Sequence, residues 1–100
     1  MFCMVTRVKT APENLDKLTK IIQEQVPPMA EKFPGFKGFY FMTNASGNCV
    51  ILDVFETEAQ TMAFLKSPEH GKLGPQIGPL FAGPPAAEGF EVKTQVLPGS

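Results

Sequence analysis

Two strongly apolar runs stand back to back around a short polar segment. Phe36 to Met42 is followed by Thr43-Asn44-Ala45-Ser46-Gly47-Asn48 and then by Cys49 to Phe55. Neither run alternates cleanly. Phe39, Tyr40, Phe41 and Met42, and then Val50, Ile51, Leu52, Val54 and Phe55, put large groups on both faces of a strand. An antiparallel hairpin that is wet on one side alternates apolar with polar. This hairpin is therefore expected in a sheet covered on both faces. The chain is too short to supply two covering layers, so a second copy is expected to supply one.

Phe2 to Lys9 reads as the first strand, with Phe2, Met4, Thr6 and Val8 on one face and Cys3, Val5 and Arg7 on the other. Thr10-Ala11-Pro12-Glu13 has the form of a capping box. The helix after it carries Leu15, Leu18, Ile22, Val26 and Met29 three and four apart. Pro27-Pro28 is expected to end or bend it. Phe33-Pro34-Gly35 then connects to the hairpin. Thr57-Glu58-Ala59-Gln60 repeats the capping signal, with Gln in the third place. The second helix is expected to bury Ala59, Met62 and Ala63 with Leu65 or Phe64, and to stop before Pro68.

From Gly71 to Gly89 the chain is rich in Gly and Pro, yet Leu73, Ile77, Leu80 and Phe81 recur at roughly helical spacing. That predicts a short broken helix and a loop lying over something apolar. Phe90 to Leu97 alternates apolar with charged and is expected as the last strand, at an edge. Pro98-Gly99-Ser100 is a tail. The order β-α-β-β-α-β predicts an α+β, ferredoxin-like fold with a four-stranded antiparallel sheet. Right-handed crossovers put both helices on one face. The other face, with Cys3, Val5 and alternate hairpin residues, remains apolar, and a two-fold homodimer would cover it.

One hundred residues make one domain, and 43% apolar residues suffice for its core. The net charge is −1 and the nine Lys and Arg are scattered, so no basic stripe for nucleic acid is present. No apolar stretch approaches the ~20 residues of a membrane span. The N-terminus passes directly into a strand pattern without the parts of a secretory signal, so a cytoplasmic location is expected. Cys3 and Cys49 are too few for a disulfide framework. As antiparallel neighbours their strands hold the thiols at opposite ends, and both are expected buried and inert.

Four segments carry a resemblance. Phe33 to Tyr40 resembles a Pro-Gly lead into strand two. Val50 to Ala59 resembles a third strand and helix start. Ser67-Pro68-Glu69-His70 resembles a Ser-Pro-x-His helix end, and Gly78 to Pro85 a stretch leading back to strand four. Together they are similar to the antibiotic biosynthesis monooxygenase-like (ABM) family of dimeric α+β barrels. The resemblance implies an ABM-like domain over residues 1–97, with 98–100 as the tail. Such families include cofactor-independent quinol and anthrone monooxygenases, haem-degrading enzymes and domains without an assigned role. Departures narrow the choice. The chain has no Trp. Phe55 stands where family members often carry Trp, Phe64 where haem-degrading relatives place a ring-distorting Trp, Thr6 where those relatives use Asn, and Gly74 near the place of their iron-ligating His. Haem degradation is therefore not expected.

His70 is the only histidine, and the only side chain whose ordinary pKa suits proton transfer near neutral pH. It fits a base or anchor for a phenolic hydroxyl; the alternative is a helix-end residue that favours the helix dipole when charged. Tyr40, the only tyrosine, and Thr6 are candidate polar contacts for a substrate, although each could simply bond locally. Phe64 and Phe81 would line a flat aromatic pocket, or belong to the core. Asp53 interrupts the strongest apolar run. A buried carboxylate needs a cation or several donors, and Arg7 on the neighbouring strand, or a cross-dimer cation, is its expected partner; a catalytic base is the other reading. No phosphate loop, dinucleotide fingerprint, nucleophile elbow or metal motif is present, so the expected cofactor is none. The resemblance then implies a monooxygenase acting on a quinol-like or polycyclic phenolic molecule, whose own electrons reduce oxygen. The rival reading is a non-catalytic dimeric barrel that binds or senses a small apolar or aromatic ligand.

Overall fold

A computed structural model describes residues 1–99; Ser100, the end of the expected tail, lies outside them. The strands are β1 (Phe2–Lys9), β2 (Phe36–Thr43), β3 (Asn48–Phe55) and β4 (Ala86–Glu91). The helices are α1 (Leu15–Ala30), α2 (Glu58–Leu65) and two single turns, α3 (Pro68–Gly71) and α4 (Gly74–Ile77). The four strands form one antiparallel sheet in the order β2-β3-β1-β4.

Pairing of β1 with β3 decides which side chains face the helices. Phe2, Met4, Thr6 and Val8 lie opposite Phe55, Asp53, Ile51 and Cys49. Phe2, Val8, Cys49 and Phe55 from this set are buried. Val8, Cys49 and Phe55 join Leu18, Ile22, Val26 and Ala30 of α1, and Phe64 of α2, in one core cluster. The three- and four-residue spacing in α1 matches the expected apolar row, with Ala30 as a further member.

In β2 a bulge between Phe36 and Gly38 changes the parity. Phe36 pairs with Phe55, but Gly38 already pairs with Val54. One extra residue in a strand turns every later side chain to the other face. Phe39 and Phe41 therefore share the helix-facing side with Asp53 and Ile51, whereas Tyr40 and Met42 share the outer side with Leu52 and Val50.

Four local expectations are corrected. Thr10 does not cap α1: Pro12–Asn14 form a 3-10 turn first, and the buried Thr10 hydroxyl donates instead to the Leu80 carbonyl. Of the two outcomes expected at Pro27-Pro28, an end or a bend, the end does not occur: α1 runs on to Ala30. Each lacks an N–H for the carbonyl four residues back, and those belong to the exposed Gln23 and Glu24, where water is available. In α2 the buried residues are Thr61 and Phe64, while Ala59 and Ala63 are exposed. Its capping box does form, with the Gln60 N–H donating to the Thr57 hydroxyl at 3.1 Å and the Thr57 N–H to Gln60 Oε1 at 3.2 Å.

The fourth correction concerns the last strand, which is Ala86–Glu91 and not Phe90–Leu97. Glu91 pairs with Phe2, the first residue of β1, and beyond it one further backbone bond runs from the Val92 N–H to the Met1 carbonyl at 2.9 Å. The weak strand formers Ala86, Ala87 and Gly89 are extended because the free edge of β1 offers them a ladder; tertiary context overrides propensity.

Between the hairpin strands, the Asn44 side chain accepts the N–H groups of Ser46 and Asn48, each at 3.1 Å. Gly47 takes φ 87°, and a Cβ there would collide with the Thr10 carbonyl oxygen. Gly47 also accepts the Thr10 N–H at 2.8 Å. Gly47→Ala is therefore expected to destabilise the protein by ~2 kcal/mol or more, read as a lower urea midpoint at unchanged slope.

Candidate active site

A cavity of about 170 Å³ lies between the helix-facing side of the sheet and the segment after α2. Thr6, Phe39, Ile51 and Asp53 form its floor. Ile22 and Val26 of α1 and Leu65 of α2 form walls, and His70, Leu73, Ile77, Phe81 and Pro85 close it. The lining is apolar apart from Thr6, Asp53 and His70.

The Gly/Pro-rich cover is held at several points. Thr10 is the hub at one end. Its hydroxyl donates to Leu80, and it forms an isolated bridge with Phe81. The Ala82 N–H donates to Lys9 O at 2.7 Å. On the α1 side, the amides of Gln25 and Gln76 bond each other at 2.6 and 3.0 Å. Leu73 anchors the middle of the cover in the core.

His70 reaches the cavity through a local device. Ser67 caps α3 by accepting the His70 N–H at 3.2 Å, with Pro68 in the first helical position. Pro suits that place because its missing N–H would have no helical partner. The imidazole stands edge-on to Phe64, with ring centroids 5.0 Å apart. Burial lowers its pKa below the usual histidine value, so it is neutral at pH 7.

Asp53 is 4% exposed. Among the described residues it has no cation and no hydrogen-bond donor. The expected Arg7 partner is on the wrong face: Arg7 pairs with Val50 and Ala86 on the outer side, whereas Asp53 pairs with Met4 and Phe39 on the helix side. Burial pushes its pKa from 3.8 up to about 7. Its residual charge also raises the Cys3 thiol, after burial as the larger cause. Cys3 is half-buried and Cys49 buried, both free, at opposite ends of the β1–β3 pair.

Of the residues singled out from sequence, Thr6, His70 and Phe81 come together in this cavity. Tyr40 and Phe64 do not. Tyr40 is on the outer face and 54% exposed, turned there by the β2 bulge. Phe64 is fully buried behind the cavity among Phe33, Phe55 and His70. Asp53 joins the cavity in place of an ion pair. Its parity with Cys49, Ile51 and Phe55 was the available signal, once the helix-facing side of β3 is known. Among the described residues no cluster of His, Cys, Asp and Glu is arranged to hold a metal ion, and no helix is long and apolar enough to cross a membrane.

A family model described as antibiotic biosynthesis monooxygenase matches residues 1–74. No curated protein matches the chain. Among solved structures, a monooxygenase from the ActVA-Orf6 gene of Streptomyces coelicolor, in complex with nanaomycin D, is similar. It has 21% identity over 98% of this chain and 92% of that one, with a TM-score of 0.82. A putative antibiotic biosynthesis monooxygenase from Caulobacter crescentus has 16% identity over 93% and 90%, with a TM-score of 0.82. The NE2512 protein of unknown function from Nitrosomonas europaea has 20% identity over 99% and 95%, with a TM-score of 0.80. At these identities the likeness concerns the fold.

The buried carboxyl has a measurable effect on stability. The folded protein holds the Asp53 proton up to about pH 7, whereas an unfolded chain releases it near pH 3.8. The folded state thus binds more protons between these values, so this group's contribution falls as pH rises from about 4 to 7 and is level above. Asp53→Asn is expected to raise stability by roughly 2–4 kcal/mol at alkaline pH and by little near pH 4. Urea unfolding at the two pH values measures it; a gain independent of pH would contradict the burial argument.

Proposed function

The chain belongs to the antibiotic biosynthesis monooxygenase family, and we propose that it oxygenates a hydroxylated aromatic ring held in the cavity beneath α3 and α4. The observation that carries this reading is the cavity itself: recessed, apolar, and polar only at Thr6, Asp53 and His70. An apolar chamber with a few convergent polar groups fits a flat ring with hydroxyl substituents. Its size narrows the substrate. About 170 Å³ is close to the ~150 Å³ of an apolar cavity that admits benzene. A single-ring 1,4-quinol fits this volume; a polycyclic phenol requires the cover to move outward.

In the proposed reaction the quinol gives its electrons to molecular oxygen. One oxygen atom enters the ring, the other leaves as water, and the ring leaves as a hydroxyquinone. The ring reacts with oxygen as its phenolate-type anion, so one hydroxyl must lose its proton in place. Neutral His70, projecting from the cover, anchors a ring hydroxyl, and Thr6 on the floor makes a second polar contact. Phe81 and Leu73 keep water from the ring. Water exclusion strengthens every polar contact to the developing anion.

Oxygen uptake by the purified protein tests this. Short-chain 1,4-quinols are expected to give enzyme-dependent uptake and anthrones much less. His70→Ala is expected to lower kcat/KM by roughly 10- to 100-fold, with the melting temperature little changed. If neither class is consumed, the ligand-binding or sensing barrel is the better reading.

The outer sheet face supports a homodimer as part of the same proposal. Gly38-Val54-Cys3-Phe90, Tyr40-Leu52-Val5-Glu88 and Met42-Val50-Arg7-Ala86 form three cross-strand rows there. Tyr40, Met42 and Phe90 are 54%, 44% and 43% exposed. Monomers rarely leave a large apolar patch in water; here it is bounded by Arg7 and Glu88, and a second copy of the same face covers it about a two-fold axis. Sedimentation at micromolar concentration is expected to give twice the chain mass, with Leu52→Glu shifting the protein to monomer. A wild-type monomer would remove this part of the proposal.

A further inference from the structure

Asp53 is the buried titratable group that anchoring by His70 and Thr6 leaves unused. It lies on the cavity floor, 4% exposed, with neither a cation nor a hydrogen-bond donor among the described residues. A carboxylate in that position is strongly disfavoured unless something in the cavity meets it. A structural carboxyl would be expected to have its lone pairs satisfied by backbone or side-chain donors. Those of Asp53 instead face space large enough for a ring.

We propose that Asp53 contacts the bound ring and accepts the proton of its hydroxyl. The inference rests on the aromatic-hydroxyl reading above and adds the acid–base residue to it. In the step, the ring O–H bond breaks, the proton passes to a carboxylate oxygen of Asp53, and the electron pair stays on the ring oxygen. Asp53 becomes a neutral acid and the ring an anion, so a single negative charge moves from the floor of the cavity to the ligand. The cavity never holds two charges.

The surroundings are arranged for this. One titratable group, His70, faces Asp53 within the cavity; Cys3 is near it but belongs to the outer face. His70 stands on α3 in the same cavity and, being neutral at pH 7, supplies no fixed cation. The Cys3 thiol, on adjacent β1, stays protonated because its own pKa is raised. The other contacts are apolar: Phe39 on β2, Ile22 and Val26 on α1, and Leu65 on α2. With no cation to hold its charge, the carboxyl titrates near pH 7, the range in which a general base works best at neutral pH. Asp53 on the floor and His70 in the cover also suit a ligand with hydroxyls on two sides of the ring.

The test compares wild type with Asp53→Asn, which keeps the shape and removes the acceptor. The probe is 4-cyanophenol, a phenol that resists oxidation and whose acid and anion absorb at different wavelengths. Near pH 7, where the free probe is mostly neutral, saturated wild type is expected to show an anion band that Asp53→Asn lacks. Identical bound spectra overturn the proposal. Because the probe is not turned over, this result stands even if no quinol is oxidised. Should Asp53→Asn not fold, wild type alone decides: absence of an anion band at saturation overturns the proposal. With an active quinol, Asp53→Asn is expected to lower kcat by ~10²-fold or more and to abolish the acidic limb of kcat/KM. KM is expected to stay within about threefold. A variant that keeps rate and limb also overturns it.

Discussion

The antiparallel pairing of β1 with β3 is the constraint from which the rest of the molecule follows. These are the two central strands, and their register sets Thr6 opposite Ile51 and Met4 opposite Asp53. Because side chains alternate with a period of two, that single register decides which half of each strand is core and which is outer face. A slip by one residue would carry Asp53 to the outer side and Leu52 to the helices, and the cavity would lose its carboxyl. The bulge in β2 works against the same reference. It places Phe39 beside Asp53 and turns Tyr40 away.

The cavity exists because the cover is tied at its ends and anchored in the middle by one large apolar side chain. Thr10 stands at the end of β1 and bonds both the hairpin turn and the cover, through Gly47 and Leu80. The Gln25–Gln76 pair ties the cover to α1. Within residues 68–85 only Leu73 is buried in the core. Short helical turns broken by Gly and Pro cannot pack as densely as a continuous helix, so space remains over the sheet. Protein interiors otherwise leave few voids of this size.

Desolvation tunes the two titratable groups of this cavity in opposite directions. It raises the acid, Asp53, and lowers the base, His70, because in each case burial disfavours the charged form. At neutral pH His70 is neutral and Asp53 is divided between acid and carboxylate, so the cavity holds no fixed cation and remains apolar enough to receive a ring. Placing Arg7 beside Asp53 would have fixed a charge pair there and closed the space to an uncharged ligand. The observed separation of the two onto opposite faces is therefore what allows an acid–base role.

The order of elements, the apolar row of α1, the Thr57–Gln60 cap and the surplus of apolar groups on the hairpin were legible in the chain, since each depends on neighbours a few residues apart. Residues 33–85 also carried the family resemblance. Three features were decided only in three dimensions. Thr10 had the local form of a helix cap, but a distant carbonyl at Leu80 competed for its hydroxyl. The last strand lay among poor strand formers, because the open edge of β1 pairs with Ala86 to Glu91 and adds only one backbone bond beyond, from the Val92 N–H to the Met1 carbonyl. Tyr40 and Asp53 exchanged their expected settings, one through a single-residue bulge and the other through strand parity. Periodicity and capping are short-range and are written in sequence; the facing of a side chain after a bulge, and the partner of a buried polar group, depend on which strand lies alongside, and only the assembled sheet supplies that.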